Sequence, residues 1–200
     1  MNAPARRGRD GASTRARIEA EALRLFARKG VDATSVRDIA QAAGVAEGAL
    51  YRHFPSKEAL ARALFLAHYA DLASAIASVR SEAPDFAGRM RALVRRACRL
   101  FDGDPELFTY LLIAQHDHLA HVPPDEAHNA VEALAGLVRE AVAAGELPEQ
   151  DVTLAAAMAL GAVVQPAVFG LYGRLQGPLE RHAERIAAGA LAAAGHKAGA

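Results

Sequence analysis

The sequence predicts an all-α fold, and its composition and periodicity support this prediction. Apolar residues make up 52% of the chain and aromatic residues only 6%, with alanine as the largest part of the apolar share. Alanine is the best helix former and contributes little to the packing of sheets. Apolar residues recur at three- and four-residue spacing, no segment alternates with a period of two, and no 20–50-residue repeat is apparent. We therefore expect three short helices followed by a bundle of about six longer ones.

The first predicted helix follows an N-terminal arm. Residues 1–13 are rich in Arg, Gly and Ala, and we expect them to be a disordered basic arm. Ser13 or Thr14 is placed to cap the helix, and Gly30 is placed to end it, since glycine adopts the left-handed cap conformation easily. The predicted buried stripe consists of Ile18, Ala22, Leu23, Leu25 and Phe26.

Two short helices and a long one are predicted next. Thr34 or Ser35 is expected to cap the second helix, Gly44 to stop it, and the third helix to run from about 46 to 53. Pro55 prevents simple continuation, and Ser56 is expected to cap a fourth helix over 57–80. A short helix, a glycine turn and another short helix fit a helix-turn-helix, whose second helix fits the DNA major groove, although many helical hairpins share this pattern. Its shared core is predicted to be Ile39, Val45 and Leu50, with small Ala40 where the two helices cross. Val36 and Phe54 are also expected to face inward.

The rest of the chain keeps the helical pattern, and its turn residues divide it into five segments. We expect one domain over residues 14–56 and a larger helical domain over residues 57–196. The predicted body helices are 86–102, 105–120, 126–145, 151–173 and 178–194. The apolar stretch 152–169 contains Thr153, Gln165 and Pro166, so we interpret it as a buried helix and not as a membrane span.

The charge distribution predicts a polyanionic partner at one end. Residues 1–62 contain 12 Lys and Arg against 7 Asp and Glu, and the remaining 138 contain 11 against 16. Cys98 is the single cysteine, which excludes an intramolecular disulfide and suits a reducing compartment. The polar, basic N-terminus is unlike a signal peptide, so we expect a cytoplasmic protein.

Residues 14–64 resemble the DNA-binding domain of the TetR family. The matching motifs are FARKG at 26–30, TSVRDIA at 34–40, AGV at 43–45, GALYRHF at 48–54 and SKEAL at 56–60. The resemblance covers about a quarter of the chain. It implies a transcriptional regulator, by family majority a repressor, that binds a palindromic operator as a homodimer. A small, hydrophobic effector would shift the fourth helix and release the DNA.

The resemblance implies that Tyr51 and Lys57 contact DNA phosphates and that His53 contacts the DNA backbone. Arg37 suits a phosphate or a guanine, although an ion pair with Asp38 or Glu47 is an alternative. We also expect Thr34 and Ser35 to reach a phosphate while capping the second helix. Arg6, Arg7, Arg9, Arg15 and Arg17 could add non-specific or minor-groove contacts, or remain solvated.

Base reading is expected from the third helix, where the chain departs from the common family pattern. Ala46 and Ala49 stand where residues with hydroxyl groups are frequent in the family, and Glu47 is acidic where Lys or Arg is frequent. Ala49 could contact a thymine methyl, and Glu47 could accept from a cytosine amine or orient Arg52 or Arg37. The predicted reading residues are Ala46, Glu47, Gly48, Ala49 and Arg52.

The resemblance implies that the later helices bind the effector and dimerise. We expect the helices near 152–169 and 178–194 to form a four-helix dimer interface, the latter through Ile186, Ala190, Leu191 and Ala194. Burial inside one subunit is the alternative. The apolar helix 105–119 carries polar groups that suit a ligand pocket, although core packing is an alternative for each residue. The predicted pocket residues are Phe101, Phe108, Leu112, Gln115, His116, Gln165, Phe169 and Tyr172.

The residues argue against an enzyme and against a metal site, and they leave a protein-binding module as the alternative. No nucleophile-elbow, zinc-protease or nucleotide-binding motif is present, so we expect no enzyme activity and no cofactor. Residues 116–118 (His-Asp-His) with His121 invite a metal interpretation, but successive side chains point in different directions, and we expect no metal. A helical module that binds protein partners remains the alternative, and it would lack the steep salt dependence of DNA binding.

Overall fold

A computed structural model describes residues 6–197, and these residues form an all-α fold without any strand. The helices are α1 (Arg6–Lys29), α2 (Val36–Ala42), α3 (Glu47–Tyr51), α4 (Lys57–Ser78), α5 (Phe86–Gly103), α6 (Pro105–His118), α7 (Ala130–Ala143), α8 (Val152–Leu171) and α9 (Ala183–Ala193). Short 3₁₀ helices occupy Val79–Ser81, Leu119–His121 and Leu179–His182.

The chain divides into two compact units. The N-terminal unit comprises Met1–His68 and Glu106–His121, and the C-terminal unit comprises Tyr69–Pro105 and Val122–Ala200. The boundary falls within α4, so that one continuous helix contributes to both units. The N-terminal unit is thus larger than the predicted domain of residues 14–56, because α6 packs with the N-terminal helices.

Helix α6 is held in the N-terminal unit by polar and aromatic contacts. The Tyr110 ring stacks on Phe26 of α1 at a centroid distance of 6.1 Å, and its hydroxyl donates to the Ala61 carbonyl of α4. At the start of α6, Glu106 pairs with Arg28 at 3.1 Å and with Arg24 at 3.6 Å. Residues of α6 therefore share the buried core of the N-terminal unit with α1 and α4.

Helix α1 begins earlier than predicted. It includes residues 6–13, so the prediction of a disordered arm is wrong for these residues, and residues 1–5 lie outside the described range. Arg and Ala favour helix, and two isolated glycines cost too little to stop it. The predicted cap at Ser13 or Thr14 is therefore not formed. At the other end, Gly30 has φ +81 and ends the helix as predicted.

The C-terminal unit is built from α5, α7, α8 and α9, in which α8 packs on α7 and α9, and α5 packs on α9. Its core contains many alanines, which allow the helices to approach closely. Helix α7 starts four residues later than predicted because the Asn129 side chain accepts from the amides of Val131 and Glu132. Helix α8 continues through Pro166 to Leu171.

Helix α8 is apolar nearly all round, yet it is not covered on every side. Its buried residues are Ala155, Ala156, Ala159 and Ala167. Its exposed residues include one continuous line at helical spacing, named here the α8 stripe, which consists of Leu154, Met158, Gly161, Gln165 and Phe169. The alternative, that α8 is buried inside one subunit, is therefore wrong for this face of the helix. By length and hydropathy alone, Lys57–Ser81 and Val152–Leu171 could cross a membrane, a test that long apolar helices of soluble proteins also pass.

Candidate nucleic-acid interface

The start of α2 is fixed by a capping box. The Ser35 hydroxyl accepts from the Asp38 amide at 3.0 Å, and the Asp38 carboxylate accepts from the Ser35 amide at 3.0 Å. Thr34 is 1% exposed, and its hydroxyl donates to the Gly30 carbonyl at 2.7 Å. The prediction that Thr34 caps α2 or reaches a phosphate is therefore wrong, because its hydroxyl is used inside the protein. Ser35 is exposed and remains a candidate for phosphate contact.

The turn between α2 and α3 has the geometry that the sequence predicts. Gly44 has φ +63, a backbone conformation that L side chains rarely adopt. The next amide, that of Val45, donates to the Ala40 carbonyl at 2.9 Å and closes the end of α2. Buried Ile39 and Leu50 join the two helices. The turn therefore holds α3 against α2 and leaves one face of α3 in solvent.

The exposed face of α3 carries most of the predicted reading residues. Ala46, Glu47, Gly48, Tyr51 and Arg52 are exposed, with Tyr51 exposed to 55%. His53 is half-buried. Ala49 is only 7% exposed because its side chain faces the core, so the prediction that its methyl group contacts a thymine is wrong.

Two arginines of this face are available for a ligand. Arg37 and Arg52 are exposed, and within residues 6–197 neither has a carboxylate partner. The alternative of an Arg37–Asp38 ion pair is wrong, because Asp38 instead pairs with Lys29 at 2.7 Å. The hydrogen bond from Lys29, followed by those from Ser35, lowers the pKa of Asp38 to about 2. The sequence analysis did not identify Lys29 as the partner of Asp38, because the two residues lie nine positions apart and in different helices.

Lys57 is not available in the way that the resemblance implies. Its ammonium donates to the carbonyls of Val31 at 2.8 Å, Asp32 at 3.0 Å and Thr34 at 2.9 Å. An ammonium has three N–H donors, and all three are used. The prediction that Lys57 contacts a phosphate is therefore contradicted by its partners in the turn between α1 and α2.

Arg15 also has partners inside the N-terminal unit. Its guanidinium lies 4.9 Å from the centre of the Phe54 ring and pairs with Glu19 at 2.9 Å. Arg17 is exposed. Arg6, Arg7 and Arg9 lie on the first turns of α1, outside the residues whose side chains are described.

The predicted effector residues are divided between the two units. Phe108, Leu112, Gln115 and His116 lie on α6, where only Tyr110 and Ala114 are buried. Helix α6 is therefore only partly buried. The Gln115 amide donates to the Leu112 carbonyl of its own helix at 2.9 Å, and His116 is exposed.

In the C-terminal unit, the Phe101 ring packs closely against Gly170. Gln165 and Phe169 are exposed on the α8 stripe, and Tyr172 just beyond α8 is 74% exposed. These three residues are therefore not walls of an enclosed cavity. An open groove of about 320 Å³ lies instead between α8 and α9. It is lined by Ala162, Pro166, Leu175, His182, Arg185, Ile186 and Gly189.

The predicted dimer residues of α9 also need correction. Ile186, Ala190, Leu191 and Ala194 are buried within the chain, because they form the face that packs on α5 and α8. The exposed residues of α9 are Glu184, Arg185, Ala188, Gly189 and Ala192. Three of these five residues are small, and they follow helical spacing.

Groups that could support catalysis or metal binding are not assembled in the described residues. Burial, and then the charges of Asp102 and Glu180, raise the pKa of Cys98 to about 11, so its thiol stays protonated at neutral pH. The rings of His118 and His121 lie 6.4 Å apart, and His118 packs on Phe65. No set of three or more His, Cys, Asp and Glu residues within residues 6–197 is placed to hold a metal ion.

Comparison with known proteins agrees with this geometry. Residues 18–64 match the family described as bacterial regulatory proteins of the tetR family. This segment contains α2, α3 and the turn between them, so the N-terminal unit carries a helix-turn-helix of the kind that regulators use to bind DNA. The family match over residues 18–64 and the relatives described next indicate a transcriptional regulator of the TetR family.

Individual relatives support this assignment. The HTH-type transcriptional repressor KstR2 of Rhodococcus jostii (strain RHA1) is 37% identical over 81 residues, which span 40% of this chain and 40% of that protein. A TetR family transcription regulator from Marinobacter aquaeolei VT8 superposes with a TM-score of 0.79 and 25% identity, over 96% of this chain and 100% of that one. FadR from Bacillus subtilis, solved in complex with stearoyl-CoA, has a TM-score of 0.72 and 21% identity over 91% and 99% of the two chains, which shows the fold alone.

Proposed function

We propose that this protein is a ligand-responsive regulator that binds a palindromic operator as a homodimer in the cytoplasm. The observation that carries the proposal is the exposed face of the helix-turn-helix, where Arg37, Tyr51 and Arg52 have no charged partner in residues 6–197. A guanidinium binds phosphate or guanine with two parallel hydrogen bonds, and a phenol donates one. The surplus of five positive charges over residues 1–62 (12 against 7) favours a polyanion as the ligand of this end.

The proposed homodimer is supported by two exposed faces of the C-terminal unit. The α8 stripe presents large apolar side chains, including Leu154 at 58% and Met158 at 50% exposure, which soluble proteins rarely leave in a continuous line. The exposed face of α9 offers small residues beside it, and these allow close helix contact. Pairing of α8 and α9 with their copies would bury both faces in a four-helix interface. A two-fold dimer of this kind requires an operator with matching half-sites.

The proposed effector is a small hydrophobic molecule, and the proposed effect is release from the operator. Phe108, Leu112, Gln115 and His116, all on α6 of the N-terminal unit, remain the candidates to contact it. Helix α4 belongs to both compact units as one continuous helix, so a displacement of its second half would be passed to the DNA-binding end. Because binding is reciprocal, the effector must bind the DNA-free protein more tightly than the bound protein. Repression is supported by the printed name of the Rhodococcus relative, a transcriptional repressor.

The proposal is tested by selecting bound DNA from a random oligonucleotide pool. The wild type, with its dimeric state verified by sedimentation, is compared with an Arg37→Gln/Tyr51→Phe double variant. We expect the wild type to enrich a near-palindrome with two half-sites about one helical turn apart, and the double variant to lose that enrichment.

The alternative is a helical module that binds a protein partner. It predicts no enrichment at low salt and no loss of a complex as salt increases, whereas DNA binding weakens steeply with added salt. A wild-type dimer that enriches no sequence at low salt would therefore refute the proposed DNA-binding function and favour this alternative.

A further inference from the structure

Lys57 makes three hydrogen bonds to backbone carbonyls through one ammonium group. Its ammonium lies between the carbonyls of Val31, Asp32 and Thr34, at 2.8, 3.0 and 2.9 Å. These carbonyls lie just beyond the C-terminal end of α1, where the helix dipole favours a cation. The first residue of α4 is thereby tied to the turn that leads into α2.

A lysine is electrostatically unfavourable at the position that Lys57 occupies on its own helix. It is the first residue of α4, at the end where the helix dipole disfavours a cation. The neighbouring residues follow the usual rule, since the Ser56 hydroxyl accepts from the Ala59 amide at 3.1 Å and Glu58 lies in the first turn. A residue that breaks a local rule needs a compensating contact elsewhere, and the three carbonyls provide it.

The turn that Lys57 holds also positions candidate DNA-binding residues. Thr34, the last of the three acceptors, directly precedes Ser35, which caps α2, and Arg37 follows in the first turn of α2. Lys29 reinforces the same turn from the other side through Asp38 at 2.7 Å. Two lysines, one from α1 and one from α4, therefore fix the place where α2 begins.

We infer that Lys57 is a positioning residue of the helix-turn-helix and not a phosphate ligand. Its ammonium clamps the turn at residues 31–34 to the start of α4, and this clamp sets the position of α2 and of Arg37. The clamp itself is independent of any ligand, and only its effect on DNA affinity rests on the proposed function. A phosphate ligand and a clamp differ in what their removal changes, so the two roles are separable by measurement.

The test compares Lys57→Met, which keeps the length of the side chain, with Arg37→Gln as a matched removal of one positive charge. We expect Lys57→Met to lower the Tm by about 4–8 °C at fixed protein concentration, because three carbonyls lose a charged donor. Hydrogen exchange at the amides of Thr34 and Asp38, which donate to Val31 O and Ser35 Oγ, should become faster. Arg37→Gln should leave both quantities at wild-type values.

The salt dependence of binding to the selected operator gives the second comparison. Arg37→Gln is expected to reduce the slope of log K against log salt by about 0.9 for each subunit, as the loss of one phosphate contact does. Lys57→Met is expected to weaken binding without changing that slope. A wild-type Tm together with a reduced slope for Lys57→Met would overturn the inference.

A measurement on the wild type decides the case in which Lys57→Met does not fold. Lys29, Lys57 and Lys197 are the only lysines of the sequence, so their ammonium groups can be assigned separately by NMR. A clamped Lys57 should give a slowly exchanging ammonium signal without DNA and keep its chemical shift when DNA is added. An ammonium that exchanges rapidly with water in the free protein would overturn the inference. If the wild type selected no DNA, the proposed function would fail, but the Tm and NMR results would still decide the clamp.

Discussion

The exposed face of the helix-turn-helix and the α8 stripe are both open to solvent, but they differ in chemistry. The first presents Arg37, Tyr51 and Arg52, and the second presents Leu154, Met158 and Phe169. Beneath the first face lie one capping box, the contacts of two lysines and a buried threonine hydroxyl. Beneath the second lie alanines in close packing. Exposed side chains therefore indicate a polyanionic partner at the first face and an apolar helix as the partner of the second.

The largest effect is expected from an acidic residue in the α8 stripe. Met158→Asp should raise the dimer dissociation constant by at least about 100-fold, because an unpaired carboxylate in an apolar interface costs several kcal/mol. Operator affinity should fall with it, since each half-site then binds alone. Sedimentation equilibrium gives the dissociation constant directly.

Ile113→Asp is the matched control for Met158→Asp, because Ile113 on α6 is 51% exposed and Met158 is 50% exposed. It should remain a dimer at the same concentration. A Met158→Asp protein that stays as tightly dimeric as the control would show that the stripe is not the interface. The exposed apolar residues of the α8 stripe would then not indicate a partner helix.

An intermediate effect is expected from removing one guanidinium at the helix-turn-helix. Arg52→Gln should weaken operator binding about 10-fold and relax the preference at one base position in each half-site, as the loss of a base contact does. Its Tm should stay unchanged, because Arg52 has no carboxylate partner in residues 6–197. Repeating the random-pool selection with the variant measures the preference. An unchanged preference at every position would exclude Arg52 from base reading.

The smallest effect is expected from removing the Asp38 carboxylate, and its size should depend on pH. The contact with Lys29 and those with Ser35 lower the pKa of Asp38 from 3.8 to about 2. A carboxyl whose folded pKa is depressed contributes stability above pH 4 and loses it as pH falls towards 2. Asp38→Asn should therefore have a lower Tm than the wild type at pH 7, and the difference should vanish near pH 2. A difference that is the same at both pH values would assign the effect to packing and not to the charge.

The sequence predicts the helix-turn-helix well because its signals are local. Gly30, Gly44 and Ser56 act within a few residues of their own positions, and the structure places helix ends at each of them. The start of α1 was missed because no single residue determines where a helix rich in Arg and Ala begins. The start of α7 was missed although Asn129 carries the usual cap signal, since the preceding residues also fit the pattern.

The errors in the candidate sites have a different origin, because they depend on contacts between distant residues. The acceptors of Lys57 lie 23–26 residues away, and they are backbone carbonyls that no side-chain motif reveals. Thr34 and Ser35 are equivalent as caps by residue type, and only the fold shows which hydroxyl is buried. For α8 and α9, periodicity identified apolar helices, but it could not tell which face packs inside the chain and which remains exposed.

Gly48 offers a consequence for engineering. A Cβ atom added there would meet no heavy atom within 4 Å, and its backbone is not in the left-handed region that requires glycine. The fold therefore does not need this glycine, and alanine in its place should strengthen α3 by about 1 kcal/mol through helix propensity alone. A library of substitutions at position 48 can therefore be screened for changed operator preference without loss of fold stability.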